Sequence, residues 1–148
     1  MLRHRILCVG RRARDPLLQA ADDYLQRIGR YARAELIRIR DSNVHDEGQQ
    51  LLTRVHAGGH VVALDERGTQ ATSTELAGWL KEWQEKGQEH TAWIVGGADG
   101  LAPQVLKRSQ TRLALSRFTL PHRLALVLLI EQLFRAHSML RGEKYHRG

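Results

Sequence analysis

The chain has 148 residues, of which 42% are hydrophobic, so it is long enough for one domain with a real core. Its net charge of +7 is segregated: residues 1–40 hold ten arginines against four acids, residues 41–100 hold four basic residues against ten acids, and residues 101–148 hold nine against two. If the basic ends meet in space, they form a positive surface that attracts phosphate backbones, and a merely solvated surface is the alternative.

Several classes of protein are disfavoured by the same numbers. The only cysteine, Cys8, lies in an apolar run; it excludes an intramolecular disulfide and fits the reducing cytoplasm, where we expect the chain to reside. The start of the chain is too short and too charged for a signal peptide, and the longest apolar run, residues 124–130, is far shorter than the ~20 residues of a membrane span. We expect no metal site, because four scattered histidines lack ligand spacing: His45, His56, His60 and His90.

The first half of the chain alternates between strand and helix patterns. An apolar run predicts a strand over His4–Val9. Asp15 and Pro16 form a helix-start signal, and apolar residues continue at helical spacing to Ile28. Polar and apolar residues then alternate over Ala34–Arg40, which predicts a strand with one wetter face.

The second half repeats the alternation. A short helix is predicted over about Glu47–Ala57 and a strand over His60–Leu64; a helix over Thr74–Glu85, capped by Ser73 or Thr74, precedes a strand over Thr91–Val95. The remaining predictions are a short helix over Ala102–Ser109, a strand over Leu113–Phe118 and a long helix from Pro121 to about Leu140. Since parallel strands need crossover connections, this order predicts a single α/β domain over residues 1–148 with a mostly parallel sheet flanked by helices.

Three loops should therefore meet at one edge of the sheet. They follow the strands as Leu64–Gly68, Val95–Gly100 and Leu115–His122. Ligands bind at the carboxyl edge of such sheets, and glycines let backbone groups approach them. The GGADG run is neither a dinucleotide fingerprint nor a P-loop, and a tight turn explains it equally well at this point.

The last predicted helix has no polar side over Leu124–Ile130. Burying these side chains is worth ~1.5–3 kcal/mol each, so both sides of the helix should be covered. The sheet with a flanking helix, or a second subunit, would do this, and we favour a dimer interface.

These loops and the closing segment resemble a known family. The runs IVGGADG, LALSRFTLPH, LFRAHSM and YHRG make the whole chain similar to the ribosomal RNA large subunit methyltransferase H family, which belongs to the SPOUT class. The resemblance implies a C-terminal trefoil knot and a site for S-adenosylmethionine. The cofactor contacts it implies are Leu64, Gly96, Leu115, Ser116, Arg117, Phe118, Thr119 and Leu120. The chain departs from the family's usual residues at Ala98 and Asp99, and Arg117 and Phe118 are larger than expected.

The resemblance also implies a reaction, which is methyl transfer to N3 of a pseudouridine in helix 69 of 23S ribosomal RNA. The enzyme would be a homodimer with its site at the interface, and its substrate the assembled ribosome. His146 and His122 are candidate bases, although His122 at a helix start also fits a capping role. Tyr145 and Arg147 complete the candidate catalytic set.

Basic residues near the end of the chain are candidate RNA contacts. Arg141, Lys144 and Arg147 combine with the aromatic Tyr145 in a mix typical of RNA binding, and a frayed basic terminus is the alternative. Arg135, and Arg11, Arg12 and Arg14 in the first loop, are further candidates. Two alternatives stay open: a non-catalytic basic module for RNA binding or ribosome assembly, and a SPOUT methyltransferase with another RNA target.

Overall fold

The structure, a computed structural model, describes residues 1–10 and 14–147. Strands and helices alternate along the chain, as the sequence predicts. In chain order they are β1 (Arg3–Val9), α1 (Pro16–Ile28), β2 (Arg33–Ile39), α2 (Val44–Thr53), β3 (His60–Gln70), α3 (Ser73–Glu85), β4 (His90–Val95), α4 (Pro103–Arg108), β5 (Thr111–Ala114), α5 (His122–Leu140) and a 3₁₀ turn (Lys144–Arg147).

The five strands form one sheet in the order β2-β1-β4-β3-β5, and every neighbouring pair is parallel. Buried side chains of α1, α3 and α5 pack on one face of the sheet, and those of α2 and α4 pack on the other. The predicted α/β fold with a parallel sheet flanked by helices is thus confirmed. The trefoil knot and the extent of the domain stay predictions.

Two predicted helix starts are too late, that of α2 by three residues and that of α3 by one, because side-chain caps lie earlier in the chain. Helix α2 begins at Val44, since the side chain of Asn43 accepts a hydrogen bond from the Asp46 N–H. Helix α3 is capped by Thr72 rather than by Ser73 or Thr74, and Glu75 completes the capping box. The cap that Asp15 provides to α1 is where the sequence predicts it.

The predicted strand over Leu113–Phe118 is wrong in both bounds, because β5 covers only Thr111–Ala114. Beyond β5, Ser116 Oγ accepts a hydrogen bond of 2.9 Å from the N–H of Phe118, which bends the chain away from the sheet. Strand β3 is longer than predicted and reaches Gln70, with a register shift between Leu64 and Thr69.

Helix α5 is covered on most of its surface by the rest of the chain. Its buried residues belong to the main core cluster together with side chains of α1 and α3. Leu124 and Leu128, one turn apart, stay half-buried and lie outside that cluster. The expectation that both sides of this helix are covered is therefore met only in part within one protomer.

A small polar cluster lies inside the core between β1, β4 and α5. His4 Nε2 lies 2.9 Å from His137 Nε2, and Trp93 Nε1 donates to His4 Nδ1 at 3.1 Å. Since Nδ1 of His4 accepts from the indole, His4 carries its hydrogen on Nε2 and donates it to His137. Both rings are thus neutral in this arrangement, and Thr91 Oγ1 lies 2.5 Å from His4 Nδ1.

Other sequence interpretations concern single residues of the core. Trp83 and Trp93 are buried and Trp79 packs against the same cluster, as expected of core residues. Cys8 is buried in β1, and burial raises the pKa of its thiol to about 11. Among the described helices, none is both long and apolar enough to cross a bilayer.

Candidate active site

A cavity of about 730 Å³ opens at the carboxyl edge of the sheet. Its walls come from the loops that follow β3, β4 and β5, together with the start of α5. Apolar side chains and acidic side chains both line it, with Arg67 as a cationic member. The lining residues are Leu64, Asp65, Glu66, Arg67, Val95, Gly96, Gly97, Ala98, Asp99, Gly100, Leu101, Leu106, Leu113, Leu115, Ser116, Phe118, Leu120, Pro121, His122 and Ala125.

The glycine loop after β4 folds on itself. The N–H of Gly100 donates to the Gly97 carbonyl at 3.1 Å, and Gly100 adopts a φ of +80°. A side chain at Gly96 would put its Cβ 2.7 Å from the Gly100 carbonyl oxygen, a distance that Cβ atoms do not reach without displacement. Glycine at position 96 is thus required by the closure of the loop, which presents main-chain groups to the cavity.

The loop after β5 contributes the opposite wall. Of the predicted cofactor contacts, six line the cavity and two, Arg117 and Thr119, are exposed and do not. Phe118 lines the cavity but is 84% exposed, so its ring lies at the cavity mouth. The six that line it are Leu64, Gly96, Leu115, Ser116, Phe118 and Leu120.

His122 is the candidate base that lines this cavity. It is the first residue of α5, and Pro121 is the N-cap of that helix, with no side-chain cap hydrogen bond. The capping role considered for His122 is therefore not seen. The next residue, Arg123, forms an ion pair with Asp15, and this hydrogen bond lowers the pKa of the Asp15 carboxyl.

The closing segment lies at the other end of α5, where a half-buried ion pair holds it. Arg135 Nη2 lies 2.9 Å from Glu131 Oε2, and the hydroxyl of Tyr145 donates to the same oxygen at 2.9 Å. Arg135 Nη1 also donates to the His146 carbonyl at 3.4 Å, and its Cζ lies 4.9 Å from the centre of the Tyr145 ring. We call Glu131, Arg135 and Tyr145 the tail clamp.

The tail clamp raises the pKa of two side chains, Tyr145 and Arg135. Burial, followed by hydrogen bonding with Tyr24 and with Glu131, raises the pKa of the Tyr145 phenol. The hydrogen bond to Glu131 raises the pKa of Arg135. The guanidinium predicted to touch RNA thus has an internal partner, and it positions the tail.

His146 is exposed and has one ring nitrogen with a definite partner. Its Nδ1 lies 3.0 Å from the Glu143 carbonyl oxygen, which can only accept a hydrogen bond. In the neutral ring Nδ1 therefore carries the hydrogen, and the lone pair on Nε2 faces outward. A histidine in this tautomer can accept a proton at Nε2.

The two groups of predicted catalytic residues do not meet within one protomer. Helix α5 separates them with 19 residues, a length of about 28 Å. His122 lies at its start, beside the cavity, whereas Tyr145, His146 and Arg147 follow its end and do not line the cavity. Arg141 and Lys144 are exposed at the same distal end, while Arg11 and Arg12 lie outside the described residues and Arg14 is exposed.

Sequence reasoning missed two sets of side chains at these sites. One is the acidic part of the cavity wall, formed by Asp65, Glu66 and Asp99. Sequence reasoning placed these residues in the loops but assigned them no role in the site. The other is Glu131, whose signal was its position as the only acid in the long apolar helix α5. Within residues 1–10 and 14–147, no group of three or more His, Cys, Asp or Glu side chains could hold a metal ion.

Comparison with known proteins gives the family of the chain. The family model described as "Predicted SPOUT methyltransferase" matches residues 2–146. A relative from Anaeromyxobacter dehalogenans, named Ribosomal RNA large subunit methyltransferase H, is 45% identical over 151 residues, which cover 97% of this chain and 98% of that protein. A relative of the same name from Gloeobacter violaceus is 40% identical over 154 residues, covering 99% and 100%.

Solved structures share the fold at low sequence identity. A probable methylase family protein from Haemophilus influenzae superposes with a TM-score of 0.61 at 13% identity, covering 98% of this chain and 71% of that one. A probable methyltransferase from Bordetella pertussis superposes with a TM-score of 0.57 at 14% identity, covering 91% and 96%. With the full-length sequence matches, these likenesses establish that the chain belongs to the SPOUT methyltransferase family, and within it to the ribosomal RNA large subunit methyltransferase H family.

Proposed function

We propose that the chain is an S-adenosylmethionine-dependent methyltransferase of large-subunit ribosomal RNA. We further propose that it methylates N3 of a pseudouridine in helix 69 of 23S RNA, on assembled ribosomes in the cytoplasm. The observation that carries the proposal is the cavity of about 730 Å³ formed by the three loops, in a chain whose relatives bear that methyltransferase name. The cavity also sets the proposal apart from a non-catalytic RNA-binding module, which has no need of one.

The cavity suits S-adenosylmethionine in size and in charge. Sites for ligands of this class commonly measure about 300–1,000 Å³ and combine apolar walls with a few polar groups. Leu64, Leu115 and Leu120 offer apolar surface for an adenine ring, and the loop around Gly96 offers backbone groups. Three carboxylates against one guanidinium in the wall favour a ligand that carries a sulfonium charge.

The chemistry requires alignment and the removal of a proton. When bound, S-adenosylmethionine supplies a methyl group on a sulfonium centre. N3 of a uracil-type ring is a weakly acidic imide, so a base that takes its proton makes the nitrogen a better nucleophile. His146 has the lone pair of Nε2 available for this proton, and His122 is the alternative at the cavity itself.

A homodimer would bring the distal tail to the cavity. Since α5 keeps the two about 28 Å apart within one protomer, a site that uses both must combine the cavity of one protomer with the tail of its partner. Leu124 and Leu128, half-buried and outside the core cluster, supply apolar surface for such a contact. In such a dimer the tail clamp would fix the position of Tyr145 and His146 at the cavity of the partner.

The function is tested by methyl incorporation from labelled S-adenosylmethionine into ribosomes that lack the modification, with free 23S RNA in parallel. The proposal expects label in the ribosomes, mapped to the helix 69 pseudouridine. Label at another nucleotide would support the methyltransferase activity and contradict the proposed target. No label and no cofactor binding in calorimetry would contradict the proposal and favour the non-catalytic module.

The shared site is tested by mixing two inactive variants. Gly96→Ala disables the cavity and His146→Ala disables the tail. If each site combines two protomers, random mixed dimers regain about a quarter of the wild-type rate, because half of the dimers contain one intact site. If each protomer contains a complete site, the mixture stays inactive. The two candidate bases are distinguished by their single variants. If His122→Ala keeps full turnover and His146→Ala is inactive, the base is His146.

A further inference from the structure

We infer that Arg27, Arg30 and Arg141 form a docking surface for the phosphate backbone of RNA. With Tyr24 and Tyr31, whose rings they contact, these arginines make up what we call the arginine–tyrosine surface. The inference rests on the proposed function and extends it, because it names where the RNA contacts the enzyme away from the reacting base. Two of its arginines, Arg27 and Arg30, belong to α1 and the turn that follows it.

Each of the three guanidinium groups lies over an aromatic ring. Arg27 Cζ is 5.3 Å from the centre of the Tyr24 ring, and Arg30 Cζ and Arg141 Cζ are 5.6 Å and 5.7 Å from the centre of the Tyr31 ring. Such cation–π contacts hold an arginine in place without consuming its charge. A guanidinium fixed in this way loses less conformational entropy when it meets an anion.

The three arginines are exposed and lack anionic partners within the described part of the chain. None of them forms a salt bridge or a side-chain hydrogen bond there. The nearest carboxylate to Tyr31, that of Glu143, accepts the Tyr31 hydroxyl at 2.8 Å. Some other arginines, such as Arg123 and Arg135, are paired with acids instead.

A cluster of unpaired guanidinium groups held against aromatic rings suits a polyanion. Guanidinium donors suit phosphate oxygens, and an acidic protein surface would need carboxylates at the same spacing. The surface is continuous with the closing segment, because Arg141 ends α5 and Lys144 follows it. RNA held here would therefore reach the tail that carries His146.

The test measures binding to purified assembled ribosomes, by co-sedimentation, at a series of salt concentrations. The test variant is Arg27→Gln/Arg30→Gln. The matched control is Arg54→Gln/Lys107→Gln, which removes two exposed cations from the α2 and α4 layer on the other face of the sheet. Lysine replacements, Arg27→Lys/Arg30→Lys, keep the charge at the test positions.

We expect the glutamine variant to bind about tenfold more weakly, and the slope of log affinity against log salt to fall by about 1 to 2, since each lost phosphate contact reduces this slope by ~0.7–0.9. The lysine variant should keep most of the affinity, and the control should keep all of it. Cofactor affinity and oligomeric state should be the same in every variant.

Several results would overturn the inference. The inference fails if the glutamine variant keeps the affinity and the salt slope of the wild type. It also fails if the control variant loses as much affinity as the glutamine variant, because that result indicates a general effect of charge. A glutamine variant that becomes monomeric or loses cofactor affinity would make these arginines structural. Because the readout is binding, wild-type protein that binds ribosomes with this charge dependence but transfers no methyl group would refute the proposed function and leave this surface in place.

Discussion

Acidification should unfold this protein through the buried pair His4 and His137. Burial and the neighbouring His137 lower the pKa of His4 to about 3, and burial and Arg141 lower that of His137 to about 4. Protonation of His137 would set two N–H groups against each other across the 2.9 Å contact. Protonation of His4 would place a hydrogen on Nδ1, opposite the indole N–H of Trp93. In the unfolded chain both residues titrate near pH ~6.5.

The sign and size of the effect follow from proton linkage. Above pH ~6.5 neither state binds a proton at these rings, so their full contribution to stability is present. Below it the unfolded chain binds more protons, and the free energy of unfolding falls by ~1.4 kcal/mol per pH unit for each histidine. The loss continues until the folded rings titrate, near pH 4 for His137 and pH 3 for His4. Between pH ~6.5 and ~5 the two together remove about 4 kcal/mol.

Urea unfolding at pH 7 and pH 5 measures this loss. The double variant His4→Leu/His137→Leu removes both rings and leaves Trp93 Nε1 its 3.1 Å partner in Thr91 Oγ1. We expect this variant to lose most of the pH dependence, whereas His45→Leu, at an exposed site, should keep it. His60 and His90 are present in all three proteins, so their contributions cancel. A double variant as acid-sensitive as the wild type would refute the reasoning, as would ring protons of His4 that titrate near pH 6.5 in the folded protein.

Further predictions concern the site. Glu131→Gln removes the charge that holds Arg135 and Tyr145. The rate constant for methyl transfer should therefore fall ~10- to 100-fold, while cofactor affinity in calorimetry stays unchanged. An equal loss of rate and of cofactor affinity would argue against a role specific to the tail. Gly96→Ala forces the glycine loop apart and should weaken cofactor binding by about tenfold or more, whereas Gly78→Ala, in an open position of α3, should leave binding intact and add ~0.5–1 kcal/mol of stability in urea unfolding. Leu128→Glu places a charge on the proposed dimer contact, so we expect light scattering to show monomers. A variant that stays dimeric would contradict the proposal that this part of α5 lies in the interface.

The parts of the fold that depend on local signals could be predicted from the sequence. The cap at Asp15, the apolar runs of the strands and the glycine after β4 are all local features, and parallel strands bring their carboxyl ends to one edge. The end of β5 was misplaced because the apolar character of the chain continues past Ala114 while the Ser116 turn breaks the strand.

The tail and the buried histidines could not be predicted in the same way. The tail clamp depends on how the residues after α5 fold back onto it, and only the isolated charge of Glu131 pointed to this contact. His4 and His137 meet across 133 residues of sequence, and neither has a local pattern that distinguishes it from a surface histidine. Long-range polar contacts of this kind have no periodicity to read.

The single cysteine gives the protein an internal reporter of its own opening. Cys8 is 6% exposed in β1, and its raised pKa leaves almost no thiolate at neutral pH. A thiol reagent therefore reacts with Cys8 only when the sheet opens and exposes this strand, and the reaction needs no engineered label. Because β1 is an interior strand that pairs with both β2 and β4, the reaction rate reports openings that expose the interior of the sheet.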